Sequence, residues 1–331
     1  IRWWKELILK GMGQFFFENK IDFRGKNFLK IENANFFCDR KKSQLLKNLK
    51  ENRFLVPVGG GKDSIVTIEY LKKFKKNLVL FCLNPQWPQK KIIEISGAKE
   101  KVFAKRKIDK KLFLLNKRGF LNGHTPFTAY LSFLAILVAA LKECKFVAFS
   151  NEKSANEGNV KYLGKMINHQ YSKSEEFERK FREYLKKYLI KNLNYFSFLR
   201  PFNELEVCAL FSQFPQYFHS FLSCNVAFQT NSGTKKPLKN WCKKCPKCLF
   251  VFASLYPFLG EKVFKIFKGN LFEDKSLLPT MLQLIGKKKF KPFECVGTKK
   301  ESRLAFKMSL ERWKDSGGKL PVLLKEFAKI N

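Results

Sequence analysis

The chain is poor in acidic residues, has only three histidines among its 331 residues, and contains no internal repeat or low-complexity linker. The missing repeat excludes solenoids and propellers. A long apolar run is also lacking. The most apolar stretch, Phe133-Leu-Ala-Ile-Leu-Val-Ala-Ala-Leu141, falls far short of the ~20 residues that span a bilayer and reads as a buried helix. No leader pattern of charged, apolar and small residues opens the chain. It starts at Ile1 rather than Met, with Trp3 and Trp4 close behind, so it reads as a fragment that has lost N-terminal sequence. A soluble, cytoplasmic protein of one large or two modest domains is expected, with no membrane partner.

The acidic deficit is large: 28 Asp and Glu against 65 Lys and Arg, a formal +37. Such a balance normally points to nucleic acid or another anionic surface. Here the excess is mostly lysine, spread from Lys5 to Lys329 and accompanied by 37 Phe and many Ile and Asn, all with A/T-rich codons. Compositional bias accounts for it without a nucleic-acid partner, and no separate module interleaves basic with aromatic residues. A basic cleft would equally suit a ligand carrying a diphosphate and carboxylates.

Nine cysteines in a chain of this kind do not read as a disulfide framework. Four form a pattern, Cys224 followed by Cys242-Lys-Lys-Cys245-Pro-Lys-Cys248. The overlapping C-x2-C-x2-C places three thiolates in one turn region, and Cys224 can return as the fourth. Four thiolates satisfy a structural Zn²⁺ and leave no open position for water, with iron–sulfur ligation as the alternative. Cys38, Cys82, Cys144 and Cys208 lie in apolar contexts and are expected in the core.

The most informative string is Phe54-Leu-Val-Pro-Val-Gly-Gly-Gly-Lys-Asp-Ser64. An apolar, β-branched run enters three glycines, and Asp63 and Ser64 open an amphipathic helix to about Phe74. Strand, glycine loop and helix N-terminus together bind phosphate, because backbone N–H groups approach the anion and the helix end adds positive charge. The string is not a Walker A loop, since Val56 stands where that motif needs Gly and Lys62 is followed by Asp63. It resembles the PP-loop of the N-type ATP pyrophosphatases, with Gly59 in place of the first serine. That resemblance implies cleavage of ATP between its α and β phosphates.

Strand-like runs at 53–58, 78–83, 101–105 and 146–150 alternate with helical patterns at 63–74, 89–96 and 125–142. An α/β fold with a parallel sheet follows, and its ligands belong at the carboxyl ends of the strands. Gly59–Ser64, Asn84-Pro-Gln-Trp-Pro88 and Ser150-Asn-Glu152 fall there. The polar string from Ser150 to Asn159 reads as a solvated loop or as one closing over Mg²⁺ and substrate. Ser172-Lys-Ser-Glu175 reads as a capping box for the next helix. Residues 1–45 are read as an N-terminal remnant, 46–255 as the PP-loop domain with its zinc knot, and 256–331 as a helical C-terminal region.

Taken in order, Gly59–Ser64, Asn122-Gly-His124, Ser150–Ser154 with Asn156–Asn159, Asn168-His-Gln-Tyr-Ser172 and the late cysteines resemble the MurL-type epimerases, from about Arg53 to Glu301. The resemblance implies ATP-dependent inversion of the terminal L-Glu of UDP-MurNAc-L-Ala-L-Glu through an acyl-adenylate, with release of AMP and pyrophosphate. A MurD-type ligase that adds L-Glu is the implied pathway partner. On this reading Gly59, Gly60, Gly61 and Ser64 hold pyrophosphate, and Asp63 and Glu152 lie near Mg²⁺. Asn84 joins the nucleotide set from the second strand end, and Lys62 or Lys153 neutralises the α-phosphate. His124, His169 and Cys295 are the candidates for proton transfer by their chemistry. Three rival readings remain: a PP-loop tRNA-modifying enzyme, an amidating PP-loop synthetase, and a zinc-stapled nucleic-acid binder without catalysis.

Overall fold

A computed structural model describes residues 1–32, 45–229 and 236–330. Five parallel strands form the main sheet: β1 (Lys50–Pro57), β2 (Asn77–Leu83), β3 (Glu100–Ala104), β4 (Cys144–Phe149) and β7 (Asn194–Ser197), in the order β3-β2-β1-β4-β7. A small antiparallel hairpin, β5 (Val160–Tyr162) and β6 (Lys165–Ile167), stands apart from it. The order reverses beside β1, so the chain leaves β1 and β4 at a switch point where open α/β sheets bind ligands.

Strand periodicity explains the layers. Leu55, Val79, Phe81, Val147 and Phe149 face one core, shared with the helices Phe127–Leu141 and Glu175–Tyr188. Their neighbours Phe54, Val56, Leu80, Cys82 and Ala148 face the other. That second core takes in the Lys62–Lys73 helix, the Glu204–Phe211 helix and the apolar Pro246–Leu259 helix. The helical C-terminal region expected from the sequence packs on this same face, with Lys299–Asp315 and Val322–Ile330 as its last two helices. Cys82, Cys144 and Cys208 are buried as expected, whereas Cys38 lies outside the described residues.

The four strands and three helices read from the sequence are present, with ends shifted by up to three residues. Two details differ. The strand β7 escapes the pattern because only four residues pair, directly after an amphipathic helix. The cap before Glu175 is Ser174, whose Oγ accepts from the Phe177 N–H at 3.2 Å. Ser172 instead sits in a 3₁₀ turn, Tyr171–Lys173, so Glu175 is the first helical residue rather than the closing member of a box.

Candidate functional site

The glycine loop begins where β1 ends. Gly60 has φ +88, a left-handed conformation that an L side chain resists, and its carbonyl accepts from the Leu222 N–H at 2.8 Å. Gly61 is the N-cap of the Lys62–Lys73 helix, and Ser64 Oγ donates to the Gly61 carbonyl at 3.0 Å. Exposed Gly59 accepts from Gln89 Nε2 at 3.2 Å. The backbone N–H groups of a first helical turn thus stand at the mouth of the sheet, as an anion site requires.

Beneath the loop lies a buried cluster of charge. Lys62, only 2% exposed, donates from Nζ to Asp63 Oδ1 and to Glu204 Oε2. Glu204, 1% exposed, also accepts from Lys247 Nζ at 3.1 Å. Carboxylate oxygens of Asp63, Glu152 and Glu204 lie within 4.8 Å of one another. Burial alone would raise the Glu204 carboxyl, but the Lys247 and Lys62 ammoniums overcome it and hold it at about 2. Burial acts first on Glu152 as well, and there the charges of Glu204 and Asp63 add to it, pushing the group up to about 7. For Lys62, Asp63 and Glu204 outweigh burial and hold the ammonium well above its usual range. The charges of Glu204 and Asp63 oppose ionisation of Glu152, and a divalent cation between Asp63 and Glu152 would relieve that repulsion.

A second cluster adjoins the first through Lys173. Its Nζ donates to Cys295 Sγ at 3.1 Å, and His169 Nε2 lies 3.8 Å from the same sulfur. Cys295 comes first and Glu152 second among the charges that raise the Lys173 ammonium against its burial. Arg200 ties the two clusters together, donating to the Glu152 carbonyl at 2.8 Å and to the Lys173 carbonyl at 2.7 Å. The His124 ring centroid is 5.8 Å from that of His169, and His124 Nδ1 is buried with no hydrogen-bond partner among the described residues. Burial, then the neighbouring His169, lowers His124 to about 4. Burial, then Lys173, Lys291 and Lys247, lowers His169 to about 3. Both imidazoles are therefore neutral near pH 7.

The remaining expected site residues are placed apart from these clusters. Asn84 holds a left-handed turn at the end of β2, accepting from the Arg106 N–H at 2.8 Å and donating to the Arg106 carbonyl at 3.0 Å. Lys153 is exposed next to Glu152, its N–H bonded to the Phe202 carbonyl at 2.8 Å. Sequence reasoning did not single out Glu204, Lys247 or Lys173. For Glu204 a signal existed: Asn203 and Glu206 form a capping box that opens a helix directly beside it.

The four knot cysteines come together. Sγ separations are 3.8 Å for Cys224–Cys245, 3.6 Å for Cys242–Cys248 and 3.5 Å for Cys245–Cys248. A tetrahedron with metal–sulfur bonds of about 2.3 Å has sulfur–sulfur edges of about 3.8 Å, so the four thiols fit one metal ion. Backbone N–H groups of Ala227, Lys244 and Cys245 point at the sulfurs at 3.4 Å, as negative thiolates favour. The knot also reaches the site: Leu222 holds the Gly60 carbonyl, and Lys247 lies between two of the cysteines.

Comparison with known proteins adds to this geometry. A family model described as the MurL N-terminal domain matches residues 1–198, and one described as the MurL C-terminal domain matches 220–327. Relatives in Micromonospora sp. and Salinispora tropica are 40% and 38% identical over 267 and 270 residues, each match covering 80% of this chain. A third, in Xanthomonas oryzae pv. oryzae, is 33% identical over 314 residues, or 94% of the chain. All three are described as UDP-N-acetyl-alpha-D-muramoyl-L-alanyl-L-glutamate epimerase. The chain spans 59%, 57% and 68% of their respective lengths. A solved structure, a predicted subunit of tRNA methyltransferase from Methanocaldococcus jannaschii, superposes with a TM-score of 0.31 at 19% identity. The match covers 49% of this chain and 76% of that one, too loosely to bear on the fold. With both family models matched in chain order and relatives at 33–40% identity, the chain belongs to the MurL family.

Proposed function

We propose that this chain is the ATP-using core of an epimerase that converts the terminal L-Glu of UDP-MurNAc-L-Ala-L-Glu to D-Glu. The observation that carries the reading is the glycine loop opening onto the buried Lys62–Asp63–Glu152–Glu204 cluster, in a member of this family. An ionised carboxylate resists loss of its α-proton, because a second negative charge would form beside the first. Adenylating the α-carboxylate removes that obstacle by making a mixed anhydride. Pyrophosphate leaves in that adenylation; loss and return of the proton on opposite faces then inverts the centre, and hydrolysis of the anhydride releases product and AMP.

In this scheme Gly59, Gly60, Gly61 and Ser64 hold the departing pyrophosphate at the helix N-terminus. Asp63 and Glu152 would hold Mg²⁺, which supplies charge neutralisation on the phosphate oxygens. Lys62 is the cation of the loop, kept charged by Glu204, and exposed Lys153 is the second candidate at the α-phosphate. Asn84 shapes the neighbouring strand end. The catalytic unit is residues 46–255, to which the C-terminal region adds Cys295. The knot carries a structural Zn²⁺, which fits its all-thiolate set. A nucleotide-linked substrate places the reaction in the cytoplasm, after a MurD-type ligase that adds L-Glu.

The test incubates the full-length protein with ATP, Mg²⁺ and UDP-MurNAc-L-Ala-L-Glu, following pyrophosphate and the chirality of the recovered glutamate together. Substrate-dependent pyrophosphate with D-Glu supports the proposal. Pyrophosphate without inversion moves the chemistry to ligation or amidation. Turnover on tRNA and not on this substrate would replace it with a tRNA-modifying function.

A further inference from the structure

The hydrogen bonds around Cys295 fix the state of its neighbours. Asn159 Nδ2 donates to the Pro292 carbonyl at 2.7 Å, so its Oδ1 is the atom turned toward His169. That oxygen accepts from the His169 backbone N–H at 3.1 Å and faces His169 Nδ1 at 3.2 Å. An acceptor at that distance requires Nδ1 to carry the hydrogen, which leaves a bare lone pair on Nε2. Nε2 is the nitrogen 3.8 Å from Cys295 Sγ. The same sulfur takes a hydrogen bond from Lys173 at 3.1 Å, which sets an ammonium beside it. Lys247 and Glu294 also feel the charge of Cys295, and the Lys247 N–H donates to the Glu294 carboxylate at 2.8 Å. Sulfur, imidazole and amide thus stand in a line, each orienting the next, as in activated nucleophile sites.

Resting on the epimerase reading above, we propose that Cys295 is the catalytic group that moves the substrate's α-proton. Lys173 is the counter-ion of its thiolate, and His169, turned by Asn159, is a positioning residue that presents the lone pair of Nε2 to the sulfur. The α C–H bond breaks, its electron pair enters the enolate of the activated acyl group, and the proton forms the S–H bond. The new C–H bond on the opposite face draws its proton from a solvent-exchanging donor. The thiol returns its own proton to solvent, so none is consumed over the cycle. Lys173 links this step to activation, because its charge acts on both Cys295 and Glu152.

The experiment compares the full-length protein with its Cys295→Ser and Cys295→Ala variants, reading pyrophosphate release and deuterium entry at the α-carbon in D₂O. The expected result is pyrophosphate release within about threefold of the unaltered protein and a fall of about 100-fold or more in deuterium entry and inversion. Deuterium entry that falls no further than pyrophosphate release overturns the assignment. Absence of pyrophosphate from the unaltered protein sinks the epimerase reading itself, and this role with it. Iodoacetamide labelling at pH 7, located by mass spectrometry, checks the pair without substrate. Lys173→Met should slow labelling of Cys295 about tenfold and Lys173→Arg restore most of it. A Cys295 that labels equally in all three removes the counter-ion and overturns the proposal.

Discussion

At the scale of single residues, the site turns on Glu204, which holds two buried ammoniums, Lys62 and Lys247. Glu204→Gln leaves Lys247 without its anion and Lys62 with Asp63 alone, in a place water does not reach. Breaking a buried pair in this way costs about 3–5 kcal/mol. Chemical denaturation should show a loss of that order, with pyrophosphate release abolished. Lys247→Met removes one of the two cations and should cost less, since Lys62 keeps its partner. His169 sets an acid limit. Its folded pKa, lowered to about 3, lies below the ordinary 6.5, so the unfolded chain binds the extra proton as pH falls. Its contribution to stability is therefore intact above about 6.5 and is lost progressively toward pH 3. Midpoints measured from pH 7 to 4 should fall less steeply for His169→Gln; an unchanged slope would show that other groups set the acid limit. Much of this scale was hidden in the sequence. Gly59–Ser64 stands out because glycine, lysine, aspartate and serine in that order have few uses. Lys173 and Lys247 do not, because 65 basic residues make any one of them unremarkable, and their partners are remote in the chain.

Elements were easier to read, because periodicity is local. β1, β2 and β4 carry apolar residues to both faces, as a fully covered parallel sheet demands. What periodicity could not give is the pairing of β7 beside β4, or the hairpin that brings Asn159 to the Pro292 segment. Both are contacts between distant pieces of chain. The glycine loop carries the prediction at this scale. Gly60 has φ +88, and a Cβ there would stand 3.3 Å from Pro88 Cβ and 3.2 Å from Gln89 Cδ. Gly60→Ala should therefore cost about 1–2 kcal/mol from the backbone conformation alone. On the proposed reading the loop holds pyrophosphate, so ATP turnover should fall far more than stability. Equal losses in denaturation midpoint and turnover would mean that the loop is only a turn. For stability Gly59 is the control: nothing lies within 4 Å of the atom an alanine would add.

On the scale of the molecule, the sheet separates two cores, and the cysteine knot belongs to the one that carries the glycine loop. Cys224, Cys245 and Cys248 are buried there with Phe221, Trp241 and Phe267. The residues before Cys224 touch the loop directly: the Leu222 N–H binds the Gly60 carbonyl, and Ser223 Cβ stands 3.2 Å from where a Gly61 Cβ would lie. On the other arm of the knot, Lys247 reaches Glu204. A metal bound by the four sulfurs would therefore join the glycine loop, the buried charge cluster and the C-terminal helices into one unit. Metal binding in such a site is folding free energy, since the unfolded chain holds no comparable site. Stripping the ion with a zinc-selective chelator, with Mg²⁺ in excess, should lower the Tm by about 10 °C or more. It should also abolish pyrophosphate release, and restoring Zn²⁺ should recover both. Cys242→Ser, at the most exposed of the four sulfurs, should weaken metal retention and shift the Tm in the same direction. A metal-free protein, verified by elemental analysis, that keeps its Tm but loses turnover would make the knot a local clamp on Lys247 and the loop. One that keeps both would leave the four thiols as packing alone, and the unit would then be held by its apolar core.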